Sequence, residues 1–303
     1  MYLVFVLYAL FASVFTIAKM GLNYTQPIFF VGSRMLIAGI VMVAYQAIRH
    51  PERCSIKKGD FAGLLLLGLC NIYLTNVLEF WGLQHLTSFK TCFIYSLSPF
   101  LSALLSFFLL KETITPKKWL GLLVGCIGFA PILLSQGAGE ERIGGILMLS
   151  WAELSVLGAA TASVFGWILL RRLVNQNGYS PNFANGLSMM IGGIMALAHS
   201  AMTENWDPLP VTEYAPFLEA GLALIIISNF ICYNLYGYLL KQFSATFMSF
   251  AGFTTPIFTA LYGWLFLDEI ITMPFIISVS IVFFGLTLFY QEELTVKLQA
   301  TVD

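Results

Sequence analysis

The sequence predicts an all-α integral membrane protein, with ten transmembrane helices arranged as a 5+5 inverted-topology repeat. Three observations predict it. The 303 residues are 58% hydrophobic and 10% charged, with a mean hydropathy of +0.83, whereas about a quarter of a soluble domain is charged. Ten apolar runs reach the length, about 20 residues, that a bilayer demands of a helix. One segment is written twice: SPFLSALLSFFLLKETITP around Pro99 and TTPIFTALYGWLFLDEIITMP around Pro256. Pro99 and Pro256, Glu112 and Glu269, and Gly128 and Gly285 are each 157 residues apart (256 − 99, 269 − 112, 285 − 128), which marks an internal repeat.

The runs lie in order at 1–18, 27–47, 61–83, 88–110, 117–135, 143–170, 183–202, 215–240, 244–267 and 273–290. Turn and polar residues fill the joints: Asn23 to Pro27, His50 to Lys58, Thr113 to Lys118, Gln136 to Arg142, Asn175 to Asn182 and Thr203 to Pro208. No joint is long enough for a soluble domain. The first run has neither a basic region before it nor a small-residue cleavage site after it, so a retained helix is expected rather than a signal peptide. Residues 1–140 read as the first five-helix repeat and 141–303 as the second. The second begins at the sixth run, where ASVF at 162–165 repeats ASVF at 12–15, and GLSMMIGGIMALA from Gly186 echoes GSRMLIAGIVMVA from Gly32.

Loop charge sets the expected orientation. Joints after the second, fourth, sixth and eighth runs carry Arg49, Arg53, Lys57, Lys58, then Lys111, Lys117, Lys118, then Arg171, Arg172, then Lys241. Joints after the fifth, seventh and ninth carry Arg142 as their one basic residue, among Glu140, Glu141, Glu204, Asp207, Glu213, Asp268 and Glu269. Both termini are therefore expected on the cytoplasmic side of the cytoplasmic membrane, and Lys19, just past the first run, is on the wrong side of this rule. Five crossings per half is an odd number, so the second half enters the bilayer upside down. Similar sequence with opposite loop charge is the signature of inverted repeats that rock around one central site.

Several function classes lose support. A formal charge of −1 offers no basic surface for nucleic acid. The five cysteines, at 54, 70, 92, 126 and 232, lack CxxC spacing and read as small core residues, so no disulfide, metal or other cofactor is expected. Intramembrane hydrolysis would need an HExxH metal site, paired aspartates or a serine with a histidine base. Here His50, His85 and His199 lie at or near run ends, and the aspartates lie at loops or ends. An enzyme is not expected, and a non-transporting membrane scaffold or sensor stays open. Without a GxxxxGK[ST] nucleotide loop, energy must come from a gradient or from exchange.

A proline in the fourth run, an apolar stretch ending in Lys111-Glu112, Trp119, and then GLLVGCIG, with the block repeated in the second half, resembles the EamA-type members of the drug/metabolite transporter superfamily. The resemblance implies ten helices in a 5+5 inverted arrangement and a central cavity lined by the first, third, fourth, sixth, eighth and ninth. It also implies export or exchange of small metabolites by alternating access. Arg34 stands where such proteins often carry a basic residue, while Ser188 holds the matching place in the second half. The expected cargo is a zwitterion such as an amino acid or S-adenosylmethionine and S-adenosylhomocysteine, since carriers that exchange these two belong to this superfamily and are compatible with the sequence.

Site candidates follow from cost, because an ionisable side chain near the bilayer centre costs roughly 2.5–3.5 kcal/mol on insertion scales. Glu79 and Lys90 flank the joint at Gln84 to Thr87 on antiparallel neighbours, at similar depth. They are read either as a structural pair or as the groups that meet the amine and carboxylate of a zwitterion. Asn71, Thr75 and Glu79 share a helical face, and Thr91, Tyr95, Ser98, Ser102 and Ser106 form a comparable stripe on the fourth run. Glu153, near Trp151 at the start of the sixth run, is expected to bind a cationic group or carry a proton, or else to be a hydrated acid at a helix start. Asn229, Tyr233 and Tyr236 give the eighth run a polar aromatic face. The candidate substrate contacts are thus Glu79, Lys90, Tyr95, Trp151, Glu153, Asn229 and Tyr233. The three charges among them are ones the repeat does not copy, since Glu79 corresponds to Tyr236, Lys90 to Phe247 and Glu153 to Leu3. Glu112 and Glu269 are expected at helix ends in a structural or gating role. Gly121 and Gly125 form a GxxxG face for a homodimer or for packing inside the half. The expected partners are a small-molecule substrate and the lipid bilayer.

Overall fold

Apolar runs become helices because a bilayer leaves the backbone no other partner for its N–H and C=O groups. The computed structural model describes residues 2–110, 115–135, 140, 144–146, 149–239, 248 and 251–299. Lys111, Glu112, Glu141, Arg142, Lys241 and Phe247, and the side chain of Tyr233, lie outside the described residues. The helices are α1 Tyr2–Leu22, α2 Pro27–Arg49, α3 Phe61–His85, α4 Ser88–Tyr95, α5 Ser98–Leu110 and α6 Pro116–Leu133. They continue as α7 Trp151–Asn175, α8 Pro181–Thr203, α9 Tyr214–Cys232, α10 Tyr233–Leu239, α11 Thr255–Phe266 and α12 Met273–Gln299. Among the described residues, nine helical stretches are long and apolar enough to cross a membrane, and no strand forms.

Several of the expected runs are not single regular helices. The fourth breaks at Ser96 and Leu97, because Pro99 has no N–H to give the Tyr95 carbonyl. The Ser98 hydroxyl donates to that carbonyl instead, at 2.5 Å. The same device recurs before Pro256, where a turn at Phe253 and Thr254 precedes α11 and the Thr255 hydroxyl donates to the Gly252 carbonyl at 2.6 Å. Both residues of the pair shift by 157 (255 − 98, 252 − 95). The sixth run, expected from 143, becomes helical at Trp151. Gly144 and Gly145 adopt φ of 54° and 145°, which no helix tolerates. Ser150 and Glu153 then start α7 with a reciprocal capping box: the Ser150 N–H donates to Glu153 Oε2 at 2.7 Å, and the Glu153 N–H to Ser150 Oγ at 3.3 Å.

Two helices contain a widened π turn, at Gly68–Leu74 in α3 and Ile225–Cys232 in α9. Their first residues are again 157 apart (225 − 68). Such turns are rare and gather at functional sites. The first is seated in α7 and α8, where a Cβ on Gly166 would lie 2.5 Å from Asn71 Cβ and one on Gly192 would lie 2.6 Å from Ile72 Cβ.

The chain divides into two compact units, each drawing on both halves of the sequence. Unit one comprises Met1–Thr16, His85–Leu154 and Phe230–Asp303; unit two comprises Ile17–Gln84 and Ser155–Asn229. In unit one, α6 packs on α12 backbone to backbone. A Cβ on Gly285 would stand 2.6 Å from Gly125 N, and one on Gly121 would stand 2.7 Å from Phe289 N. The GxxxG face is thus used within the chain, and its partner is the repeat-related helix of the other half. A phenylalanine core of Phe89, Phe93, Phe100, Phe129, Phe253, Phe275 and Phe289 fills the rest of unit one. In unit two, α2 packs on α8 in the same manner, with a Cβ on Gly39 placed 2.6 Å from Met190 N and one on Gly193 placed 2.7 Å from Leu36 N.

Candidate functional site

One end of unit one gathers a buried ionic cluster. The side chains of Lys90, Glu140 and Glu153 are each 4–5% exposed. Lys90 Nζ lies 2.8 Å from Glu153 Oε1 and 3.0 Å from Glu140 Oε2, and it donates to the Ser135 carbonyl at 2.9 Å. The surplus negative charge is met at two helix N-termini, where unpaired N–H groups favour anions. Glu140 Oε1 accepts from the Thr87 hydroxyl at 2.9 Å and the Thr87 N–H at 3.3 Å, just before α4. Glu153 Oε2 accepts from the Ser150 N–H and hydroxyl, just before α7. Glu269 closes the same end, its carboxylate accepting from the Ser88 N–H and hydroxyl at 2.6 Å each. The left-handed turn at Asp268, φ 54°, returns the chain so that this carboxylate reaches α4.

Unit two is arranged differently. Glu204 caps α2 as Glu269 caps α4, accepting from the Ile28 and Phe29 N–H groups at 2.7 Å each. Arg34, buried at 4% exposure, donates to Asn76 Oδ1 at 3.0 Å and lies 4.9 Å from the centre of the Phe80 ring. Asn76 is held in turn by donating to the Ile72 carbonyl at 2.8 Å. Glu79, one turn beyond the π turn of α3, hydrogen-bonds to no described residue. Arg34 is the charge that acts on it. Asn229, inside the π turn of α9, is 4% exposed, and its amide nitrogen has no hydrogen-bond partner among the described residues. Buried polar atoms in native folds are nearly all paired, and among the described residues the Asn229 amide nitrogen is an exception, as are Thr16 Oγ1 and Gln46 Nε2.

The model of the EamA-like transporter family matches residues 1–134 and again 150–291. The chain belongs to this family. Among its relatives, the S-adenosylmethionine/S-adenosylhomocysteine transporter of Chlamydia muridarum is 40% identical over 293 residues, covering 96% of this chain and 92% of the relative. A protein of the same description from Chlamydia trachomatis serovar L2 is 38% identical, covering 96% and 89%. A solved crystal structure superposes with a TM-score of 0.64 over 95% of this chain and 93% of that chain at 15% identity, a likeness of fold.

In this EamA-like chain the candidate residues divide between the units. Lys90 and Glu153 form an ion pair in unit one. Tyr95, also in unit one, meets Phe15 edge to face at 6.3 Å. Trp151 is 46% exposed, with Gly144 against its ring, as befits an aromatic at a membrane helix end. Tyr233 begins α10. Glu79 and Asn229 belong to unit two. All three acceptors of the Lys90 ammonium belong to unit one, so the partner that depth along the sequence pointed to, Glu79, is replaced by Glu140 and Glu153. The sequence reading passed over Glu140 as a partner because 50 residues separate it from Lys90 (140 − 90). The available signal was an acid in a short joint whose neighbouring helix starts with an intramembrane lysine. The capping box Ser150–Glu153 was a second legible signal.

Proposed function

We propose that this protein is a secondary transporter of the cytoplasmic membrane that exchanges S-adenosylmethionine for S-adenosylhomocysteine by alternating access, without changing either chemically. The observation that carries the reading is 40% identity over 96% of the chain to a transporter of that description. We further propose the ten-helix, 5+5 inverted arrangement with both termini cytoplasmic. Its support is threefold: the proline breaks at Pro99 and Pro256, the π turns at Gly68 and Ile225, and the packing of α2 on α8 and of α6 on α12. Each feature recurs at the repeat spacing or joins repeat-related helices.

Within the candidate set, Glu79 and Asn229 are assigned to the cargo, because no described residue hydrogen-bonds to the Glu79 carboxylate or to the Asn229 amide nitrogen. Lys90 and Glu153 are assigned to a lock that also holds Glu140, because every one of their charged atoms is used. A cationic amino acid derivative suits a carboxylate and a free amide donor: Glu79 meets positive charge and Asn229 donates to the cargo carboxylate or ring nitrogens. The test is purified protein in liposomes loaded with unlabelled S-adenosylhomocysteine. Uptake of labelled S-adenosylmethionine that needs internal substrate, and returns the label unaltered, supports the proposal. Uptake of neither compound in any loading removes it.

A further inference from the structure

The two cargo molecules differ by one positive charge. S-adenosylmethionine carries a carboxylate, an ammonium and a sulfonium, whereas S-adenosylhomocysteine has a neutral thioether in place of the sulfonium. One-for-one exchange therefore moves one net charge per cycle unless the protein compensates, and carrying uncompensated charge through the bilayer is costly. We propose that Glu79 compensates it: ionised when S-adenosylmethionine is bound and protonated when S-adenosylhomocysteine is bound, so that one proton travels against each S-adenosylmethionine. This inference rests on the cargo reading above and adds the coupling ion and the residue that carries it.

The choice of Glu79 follows from how the intramembrane carboxylates are held. The oxygens of Glu153 and Glu140 are all taken up by donors. Lys90 binds both, and their remaining oxygens accept from the Ser150 and Thr87 N–H and hydroxyl groups. Protonating either would set an O–H against a donor or an ammonium. Glu269 is likewise filled by Ser88. Glu79 has no hydrogen bond to any described residue that would hold it in one form, and it lies in the regular helical stretch one turn past the π turn of α3.

The charged and polar groups that neighbouring elements bring to α3 have partners of their own. From α2 comes Arg34, permanently charged and engaged with Asn76 and Phe80. From α1 comes Lys19, which donates to the Leu83 carbonyl at 3.3 Å. From α7 come Ser155, which donates to the Leu78 carbonyl, and Ala159, whose carbonyl accepts from Thr75. From α8 comes His199, which is tied to the Tyr73 hydroxyl at 3.0 Å. The charge near Glu79 is thus fixed by Arg34, and the carboxylate and the cargo form the pair whose total stays constant. With the sulfonium present the ionised carboxylate completes it, and without the sulfonium a proton does.

The test uses the wild-type protein in liposomes loaded with S-adenosylhomocysteine and a pH-sensitive dye, the membrane potential being clamped with potassium and valinomycin. On adding external S-adenosylmethionine, the lumen turns alkaline by one proton per molecule entering, and the exchange rate does not change with potential. Exchange without alkalinisation, at a rate that rises when the lumen is made negative, overturns the proposal while leaving the cargo assignment intact. If like-for-like exchange of both compounds is absent, the cargo assignment itself fails. In binding measurements across pH, Glu79→Gln is expected to weaken S-adenosylmethionine at least about tenfold and to lose the pH dependence of its binding. A folded variant that keeps the wild-type affinity and pH profile overturns the proposal. If the variant does not fold, the wild-type proton count decides alone.

Discussion

Lys90→Met removes the cation from the unit-one lock while keeping the shape of the stem. The wild-type ammonium satisfies two carboxylates and one carbonyl at 2.8–3.0 Å, with both acids 4–5% exposed. Its loss leaves two like charges facing each other, each stabilised by neutral donors at one helix N-terminus. Breaking a buried pair from one side costs about 3–5 kcal/mol. At roughly 2–4 °C per kcal/mol for a larger domain, that is a fall in melting temperature on the order of 10 °C, read by intrinsic fluorescence of the detergent-solubilised protein. The double variant Lys90→Met with Glu140→Gln removes one of the two stranded charges and is expected to recover part of the loss, giving a coupling of about 1 kcal/mol or more. A single variant that melts within about 2 °C of wild type, or a double variant no more stable than the single, would refute the lock.

Three other outcomes follow from the same geometry. Asn229→Ala removes an unused buried donor, so it should weaken cargo binding about five- to tenfold by calorimetry while leaving thermal stability no lower, since an unsatisfied polar group is itself destabilising. Glu204→Ala uncaps α2 by losing two 2.7 Å hydrogen bonds, and denaturation should show a loss of about 1–2 kcal/mol. Gly285→Ala places a methyl 2.6 Å from Gly125 N and 2.9 Å from Gly125 Cα. Because these are backbone atoms, α6 and α12 must separate, and an overpacking loss of about 1–3 kcal/mol is expected in thermal unfolding.

Much of the architecture was written in the sequence because membrane helices are specified locally, by apolar length and by turn residues. The proline-to-acid block gave the repeat its spacing, and that spacing predicts where the second break lies once the first is seen. The breaks themselves were missed, since the run from 88 to 110 stays apolar across Ser96 and Leu97 and hydropathy is blind to a missing N–H. The π turns were hidden for another reason: what admits the turn of α3 is the absent side chain of Gly166 and of Gly192, far along the chain. The partner of Lys90 was misplaced because depth along neighbouring helices constrains height, not azimuth. Glu140 and Glu153 win by completing two helix N-termini as well as an ion pair, a three-body arrangement that no pair rule anticipates. The GxxxG motif left a homodimer and packing inside the half open, and the structure instead sets it against the other half, at Gly285, the residue that the repeat derives from Gly128.

The central claim is coupled exchange, and it is tested most directly by counter-transport in liposomes holding the purified protein. Labelled S-adenosylmethionine is expected to enter vesicles preloaded with S-adenosylhomocysteine, not to accumulate in empty ones, and to be recovered chemically unchanged. Entry at the same rate into empty vesicles, or recovery of the label in a different compound, would contradict it.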